Sequence, residues 1–238
     1  MPATEPILRR KLFQEVLDRL IDRIRGGDFR PGDQLPSERD LMAFYGVGRP
    51  AVREALQALE RLGMVTISQG ERARVVEPSA EHLIKQVAGG ARHLLSAGNE
   101  NLDHLKDARL FLEEGLAFRA AARATPDDVA LLAARLEDHK RTLNDLSEFV
   151  AKDMAFHRQI AAMTGNPIFP AIIEAMFDWL GAYYVDIVRV PGAEKLTLNE
   201  HTQIFEAIAA GDPERARQAM RAHLTRANKL YRQFEGAG

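Results

Sequence analysis

Residues 37–76 read SERDLMAFYGVGRPAVREALQALERLGMVTISQGERARVV, and this stretch decides the fold of the first third of the chain. Ser37 opens a helix, with Asp40 three positions on as a short form of the capping box. The helix continues through Leu41, Met42, Phe44 and Tyr45 and stops at Gly46. Pro50, whose fixed φ suits a first helical turn, starts another. There Val52, Leu56, Leu59 and Leu62 recur every three or four residues, and Gly63 ends the run. Met64 to Ser68 and Ala73 to Val76 then read as two short strands about a turn at Gln69-Gly70. Upstream, Leu12, Val16, Leu17, Leu20, Ile21 and Ile24 predict an amphipathic helix over 8–25, stopped by Gly26-Gly27 and a turn at Pro31-Gly32. Helix, helix, short turn, helix and hairpin make a winged helix-turn-helix, expected to span residues 1–78 and to close at Pro78.

Beyond Ser79 the pattern is helical to the end. Seven helices are expected, near 79–96, 101–123, 126–146, 148–164, 167–189, 194–210 and 212–234, separated by Gly, Pro and Asn clusters. The fold class is therefore mainly α, with a small reader domain and an all-helical bundle over 79–238. The whole chain has 238 residues, of which 46% are hydrophobic and 28% charged, a globular composition. There is no apolar run long enough to span a membrane and no basic-then-apolar leader, so a cytoplasmic protein is expected. Cysteine is absent, which excludes disulfides, thiolate metal sites and a thiol nucleophile.

The net charge of −2 hides a difference of type. Residues 1–78 hold twelve Arg, one Lys and no His, whereas all seven His lie after residue 81. Arg offers a planar fork for guanine edges and phosphates; neutral His is a metal ligand. Arg49, with Pro50 beside it, opens the third helix and Arg53 follows one turn later, at the end where recognition helices meet base edges. Arg39 is placed to reach phosphate, and Arg72 and Arg74 make the hairpin positive. Each could equally be a solvated charge paired with Glu38, Glu54, Glu60 or Glu71.

In the second part, ionisable residues occupy apolar positions. Asp153 shares a stripe with Phe149, Phe156 and Ile160, and His157 lies one turn on. His201 aligns with Leu198, Phe205 and Ile208; His223 aligns with Met220, Ala227 and Leu230. Buried separately, each would be costly. One divalent cation would satisfy all four, zinc first, with nickel or manganese compatible. His139, without an acidic neighbour at helical spacing, reads as a core histidine. Arg109 lies between Leu105 and Leu112, so its guanidinium needs a buried anion: Glu113 at i+4, or a ligand carboxylate held as a fork. Trp179, Tyr183 and Tyr184 read as core or interface.

The runs Pro31 to Leu41 and Gly46 to Leu56 resemble the GntR family of bacterial transcription regulators, and the helical remainder resembles the effector domain (FCD) of its FadR subgroup. The resemblance implies that Arg39, Arg49 and Arg53 contact operator DNA and that the wing glycine, Gly70, enters the minor groove. Gly48 departs from the usual Ser or Thr and removes a phosphate-contacting hydroxyl. The wing run Gly70 to Arg74 also departs from the common Gly-rich turn. Asp153, His157, His201 and His223 match the subgroup's metal signature. The resemblance also implies a small carboxylate or sugar-acid effector, a sialic acid among the candidates, and places Asn166 at its cavity, although Asn166 could equally cap a helix before Pro167. The function expected is a ligand-responsive repressor, a homodimer on two-fold-symmetric duplex DNA. The alternatives are a metal-dependent hydrolase, for which no motif places a general base, and a DNA-binding protein with a purely structural metal.

Overall fold

The computed structural model describes residues 11–68, 70–77, 79–80, 84, 99–143, 145–188 and 193–235. The chain divides into two compact units, Met1–Gln86 and Val87–Gly238. In the first, α1 (Leu12–Arg25), α2 (Glu38–Tyr45) and α3 (Arg49–Arg61) precede β1 (Val65–Thr66) and β2 (Arg74–Val75). The local reasons match the residues. Ser37 Oγ accepts the Asp40 amide at 3.2 Å while Asp40 returns a carboxylate to the Ser37 amide, so two of the free donors at the start of α2 are satisfied. Gly46 ends α2 at φ +63°, a left-handed conformation that favours glycine. Gly48 precedes α3 with no side-chain cap.

The strands pair antiparallel, Val65 opposite Val75 and Thr66 opposite Arg74, with Gln34 bridged to Arg74 on the other side. Arg74 donates to the Gly32 carbonyl at 2.5 Å, so this wing arginine helps pin the hairpin to the preceding turn. Val16, Leu20, Leu35, Leu41, Val52, Leu59 and Val75 form one core beneath these elements. Leu62 departs from the expected stripe: it caps α3 and stands half exposed.

The second unit contains α4 (Asn99–Arg123), α5 (Pro126–Lys140), α6 (Leu146–Ala162), α7 (Ile168–Val188), α8 (Ala193–Ala209) and α9 (Pro213–Glu235). The helix expected over 79–96 falls almost wholly outside the described residues. One boundary moves. The helix expected to run to residue 146 stops at Lys140, because Thr142 folds its hydroxyl back onto the His139 carbonyl and Asp145 caps α6 by accepting the Glu148 amide at 3.0 Å. Two apolar clusters fill this unit. One is centred on Leu102, Phe149, Ile173, Phe177 and Leu180, the other on Ala117, Leu132, Phe156, Ile160, Ile204 and Met220. Helix α4 packs on α6, α8 and α9. Trp179 lies half-buried against the first cluster, as a core residue would; the side chains of Tyr183 and Tyr184 lie outside the described set. Among the described residues no helix is long and apolar enough to cross a membrane.

Candidate metal centre and DNA-reading face

Asp153 and His157 stand one turn apart on α6, His201 comes from α8 and His223 from α9, and all four are buried. One ligand atom from each lies within 4.8 Å of the others. His201 Nε2 is 3.3 Å from His223 Nε2 and 3.4 Å from Asp153 Oδ1. Two ligands held at zinc distances in tetrahedral geometry would stand about 3.4 Å apart, which these separations match.

The chemistry of the donor set agrees. His157 Nδ1 faces Glu113 Oε2, and His223 Nδ1 lies 2.8 Å from Glu200 Oε2. A carboxylate only accepts, so each Nδ1 carries a proton; in the neutral ring Nε2 then keeps its lone pair, the tautomer a metal requires. His157 Nε2 is buried with no hydrogen-bond partner. Burial pushes His201 well below the ordinary imidazole range, and the imidazoles of His223 and His157 push the same way; burial lowers His223 too, against the pull of Glu200. For Asp153 burial acts upward, but the facing imidazoles, His157 foremost, hold it below its usual value. Burial thus favours the neutral form of His201 and His223, the form in which an imidazole can ligate a divalent cation.

Behind the imidazoles stand residues to which sequence reasoning gave no part in the metal centre. Glu113, from α4, is squeezed between His157 and Arg109, whose Nε donates to Glu113 Oε1 at 2.5 Å. Burial alone would raise its carboxyl, yet His157 and Arg109 hold it at about 2. Glu200 is gripped by Arg226 through two bonds of 2.6 Å, and Arg226 also reaches Thr197 Oγ1 at 3.1 Å. The spacing Arg109 to Glu113 and the dipeptide Glu200-His201 were visible, but nothing in them pointed at a histidine on another helix. His139 keeps its core role, packed 4.2 Å from the Phe149 ring, yet its ring also lies 5.2 Å from His201.

Two residues whose readings the sequence left open acquire partners. Arg109 is buried as predicted, but its anion in this structure is Glu113, with the guanidinium 4.2 Å over the Phe177 ring. Of the two anions the sequence left open, the i+4 partner is the one in contact, and burial makes the pair matter because bulk solvent hardly reaches either charge. Asn166 Oδ1 accepts the Ile168 amide at 3.0 Å, the capping role that its place before Pro167 allowed.

On the first unit, Arg39, Arg49, Arg53, Gly70 and Arg72 line one open cleft of about 780 Å³ between the helices and the hairpin. Arg39 and Arg72 both lower Asp40 electrostatically, after the larger effect of Ser37, which places their charges on the same side. Glu38 holds Arg49 at 2.9 Å and Arg53 at 3.6 Å, so one carboxylate gathers both guanidinium groups. Gly70 turns the wing at φ +81°. Pro50 sits in the first turn of α3, where its fixed φ serves the helix start, and does not line the cleft.

Comparison with known proteins places these two regions. The description of bacterial regulatory proteins of the gntR family matches residues 12–75, and that of the FCD domain matches residues 104–226. The chain is 43% identical over 229 residues to the HTH-type transcriptional repressor NanR of Klebsiella aerogenes, covering 95% of this chain and 88% of that protein. It is 43% identical to the protein of the same name from Salmonella newport, over 92% and 85% of the two chains. Among solved structures, Streptococcus agalactiae GntR superposes with a TM-score of 0.65 at 22% identity, over 93% of this chain and 99% of that one. The McbR/YncC protein of E. coli gives 0.53 at 21% identity, over 95% and 100%. At those identities the superpositions speak for the fold.

A cation held by the four buried ligands stabilises the folded state by mass action, about 2.7 kcal/mol at a hundredfold excess over its dissociation constant. Zinc should therefore raise the melting temperature of the chelator-treated protein. His201→Ala should lose that increment and the bound metal together, as read by thermal melting with and without zinc and by elemental analysis. A variant that keeps both would remove His201 from the ligand set.

Proposed function

Because this chain belongs to the gntR family of bacterial regulatory proteins and carries an FCD domain, we propose that it is a repressor whose hold on operator DNA is set by a small carboxylate or sugar acid. The observation that carries the reading is the pairing of two chemistries in one chain. An arginine-lined cleft sits on the winged unit, and a buried three-histidine, one-aspartate cluster lies with Arg109 inside the helical unit. The family consists of regulators, not enzymes, so the hydrolase alternative falls away.

Each part has a task of its own. Arg49 and Arg53 at the start of α3 read guanine edges in the major groove, and Arg39 and Arg72 neutralise flanking phosphates. Asp153, His157, His201 and His223 hold a divalent cation, zinc in the first instance, which supplies a Lewis-acidic position for an anionic oxygen. Arg109 binds the same acid as a bidentate fork, sharing its guanidinium with Glu113. The acid changes DNA affinity only by favouring one arrangement of the reading heads, since equal affinity for two arrangements shifts nothing.

A single winged module buries too little surface for specific affinity, and we assign the working form to a homodimer on a two-fold-symmetric operator. Phe111 (80% exposed) and Phe118 (40%) lie two turns apart on α4 with Gly115 between them, an apolar face that a second copy would cover.

The resemblance to sialic-acid repressors makes N-acetylneuraminate the first acid to test. Titrated against operator complexes of the zinc-loaded protein, one small acid of this class should release or remodel the complex at micromolar to millimolar concentration. Indifference to every carboxylate tried would leave a regulator with a structural metal. In gel shifts, Arg49→Ala should cost about 1–3 kcal/mol on the operator and little on random duplex, whereas Arg39→Ala should weaken both alike and flatten the salt dependence. Equal losses on specific and random DNA for Arg49→Ala would remove its base-reading role. Phe111→Glu should shift the protein toward monomer in sedimentation; an unchanged dimer would place the interface elsewhere.

A further inference from the structure

The two braces behind the metal-facing imidazoles are alike in composition and unlike in position. Each runs from a histidine Nδ1 through a glutamate to an arginine: His223, Glu200 and Arg226 on one side, His157, Glu113 and Arg109 on the other. The first lies toward the surface, with side-chain exposures of 14% for Glu200 and 21% for Arg226. The second is enclosed, at 2% for Glu113 and 4% for Arg109. Arg109 is also the residue to which the effector's carboxylate is assigned above, and the inference rests on that reading only for the identity of the incoming anion.

Glu113 has one oxygen on each neighbour, Oε1 on Arg109 and Oε2 on His157. Its charge is divided between them, and in a site this enclosed bulk solvent does little to make up what either loses. An anion that draws Arg109 away leaves more of that charge on the His157 Nδ1–H, which makes the opposite Nε2 a stronger donor of its lone pair. A cation at His157 Nε2 works in reverse: it acidifies Nδ1–H, pulls Glu113 toward the imidazole and loosens its grip on Arg109. Linkage makes the two effects equal in free energy.

We propose that Glu113 is a positioning residue that couples the anion anchor to the metal-facing cluster, shared between Arg109 and His157 so that filling either site favours the other. The Glu200 brace supports His223 in the same way, but no incoming anion is assigned to its Arg226, and it serves as the internal control.

The coupling is measurable with zinc alone, titrated against a chromophoric chelator in the full-length protein. Glu113→Gln should weaken zinc about 10–100-fold, the usual effect of losing a partner behind a ligand histidine. Arg109→Gln should tighten zinc several-fold in the wild-type background and to the same extent in Glu200→Gln. In Glu113→Gln its effect should shrink to within about twofold, because residues in one network are non-additive. The same Arg109→Gln effect in all three backgrounds would mean that Arg109 acts only through space, and would overturn the proposal. So would unchanged zinc affinity in Glu113→Gln. That variant leaves Arg109 buried without its counter-charge and risks unfolding, which circular dichroism would reveal. The double variant removes both charges and keeps two hydrogen-bonding amides. Compared with Arg109→Gln alone, it should bind zinc more weakly by more than the about 10–100-fold that Glu113→Gln costs in the wild-type background, and equal affinity would overturn the proposal. An operator complex indifferent to every carboxylate would remove the effector reading and leave this cycle standing. An additive cycle would remove the coupling and leave the effector reading in place.

Discussion

Four ionisable side chains lose their water where α6, α8 and α9 meet, and the rest of the helical unit is arranged around that loss. A carboxylate and three imidazoles spread singly through an apolar bundle would each be left unsatisfied. Brought together, they satisfy one another in part, His201 toward Asp153 and His223, and leave inward lone pairs that a divalent cation would complete. The demand propagates outward. His157 and His223 present Nε2 only because a glutamate holds Nδ1, and each glutamate is tolerated inside only because an arginine neutralises it. Helix α4 thus belongs to the centre through Glu113 and Arg109, although it contributes none of the four converging groups.

The winged unit solves the opposite problem. Its arginines stay charged at the surface, where hydration costs nothing, and are kept from scattering by acidic neighbours such as Glu38. An exposed pair of this kind contributes little to stability, so the same contacts can be exchanged for phosphates or base edges without unfolding anything. The contrast accounts for the division of residue types along the chain. Arg remains charged at any physiological pH and suits a polyanion, whereas His can be buried neutral and still offer a lone pair.

The structure changes the meaning of several residues without changing their burial. Arg109 was rightly placed inside, but its fork is shared with Glu113, so an anion arriving there would have to compete with a resident carboxylate. Asn166 spends its oxygen on the start of α7. His139 lies against His201 without joining the convergent set, a neighbour that no helical spacing within α5 could have revealed.

Helices, caps and hairpin were legible in the sequence because they follow from short-range chemistry. The Ser37-Asp40 capping box, the glycine stops at Gly46 and Gly63, and the apolar repeat through Leu59 each act within a turn or two of the chain. Asp153, His157, His201 and His223 could also be picked out, because a polar residue on an apolar stripe is anomalous by itself, and the arginines of the reader because helical spacing sets which end they share. The break at 141–145 was misplaced because Leu143 and Leu146 continue the apolar pattern, while the decisive bonds come from Thr142 and Asp145. What only the tertiary structure decided is which groups meet across helices: Glu113 with His157 over 44 residues, Glu200 with His223 over 23. A glutamate's sequence neighbours say whether it lies inside; only the packing of α4 on α6 and of α8 on α9 decides whose proton it holds.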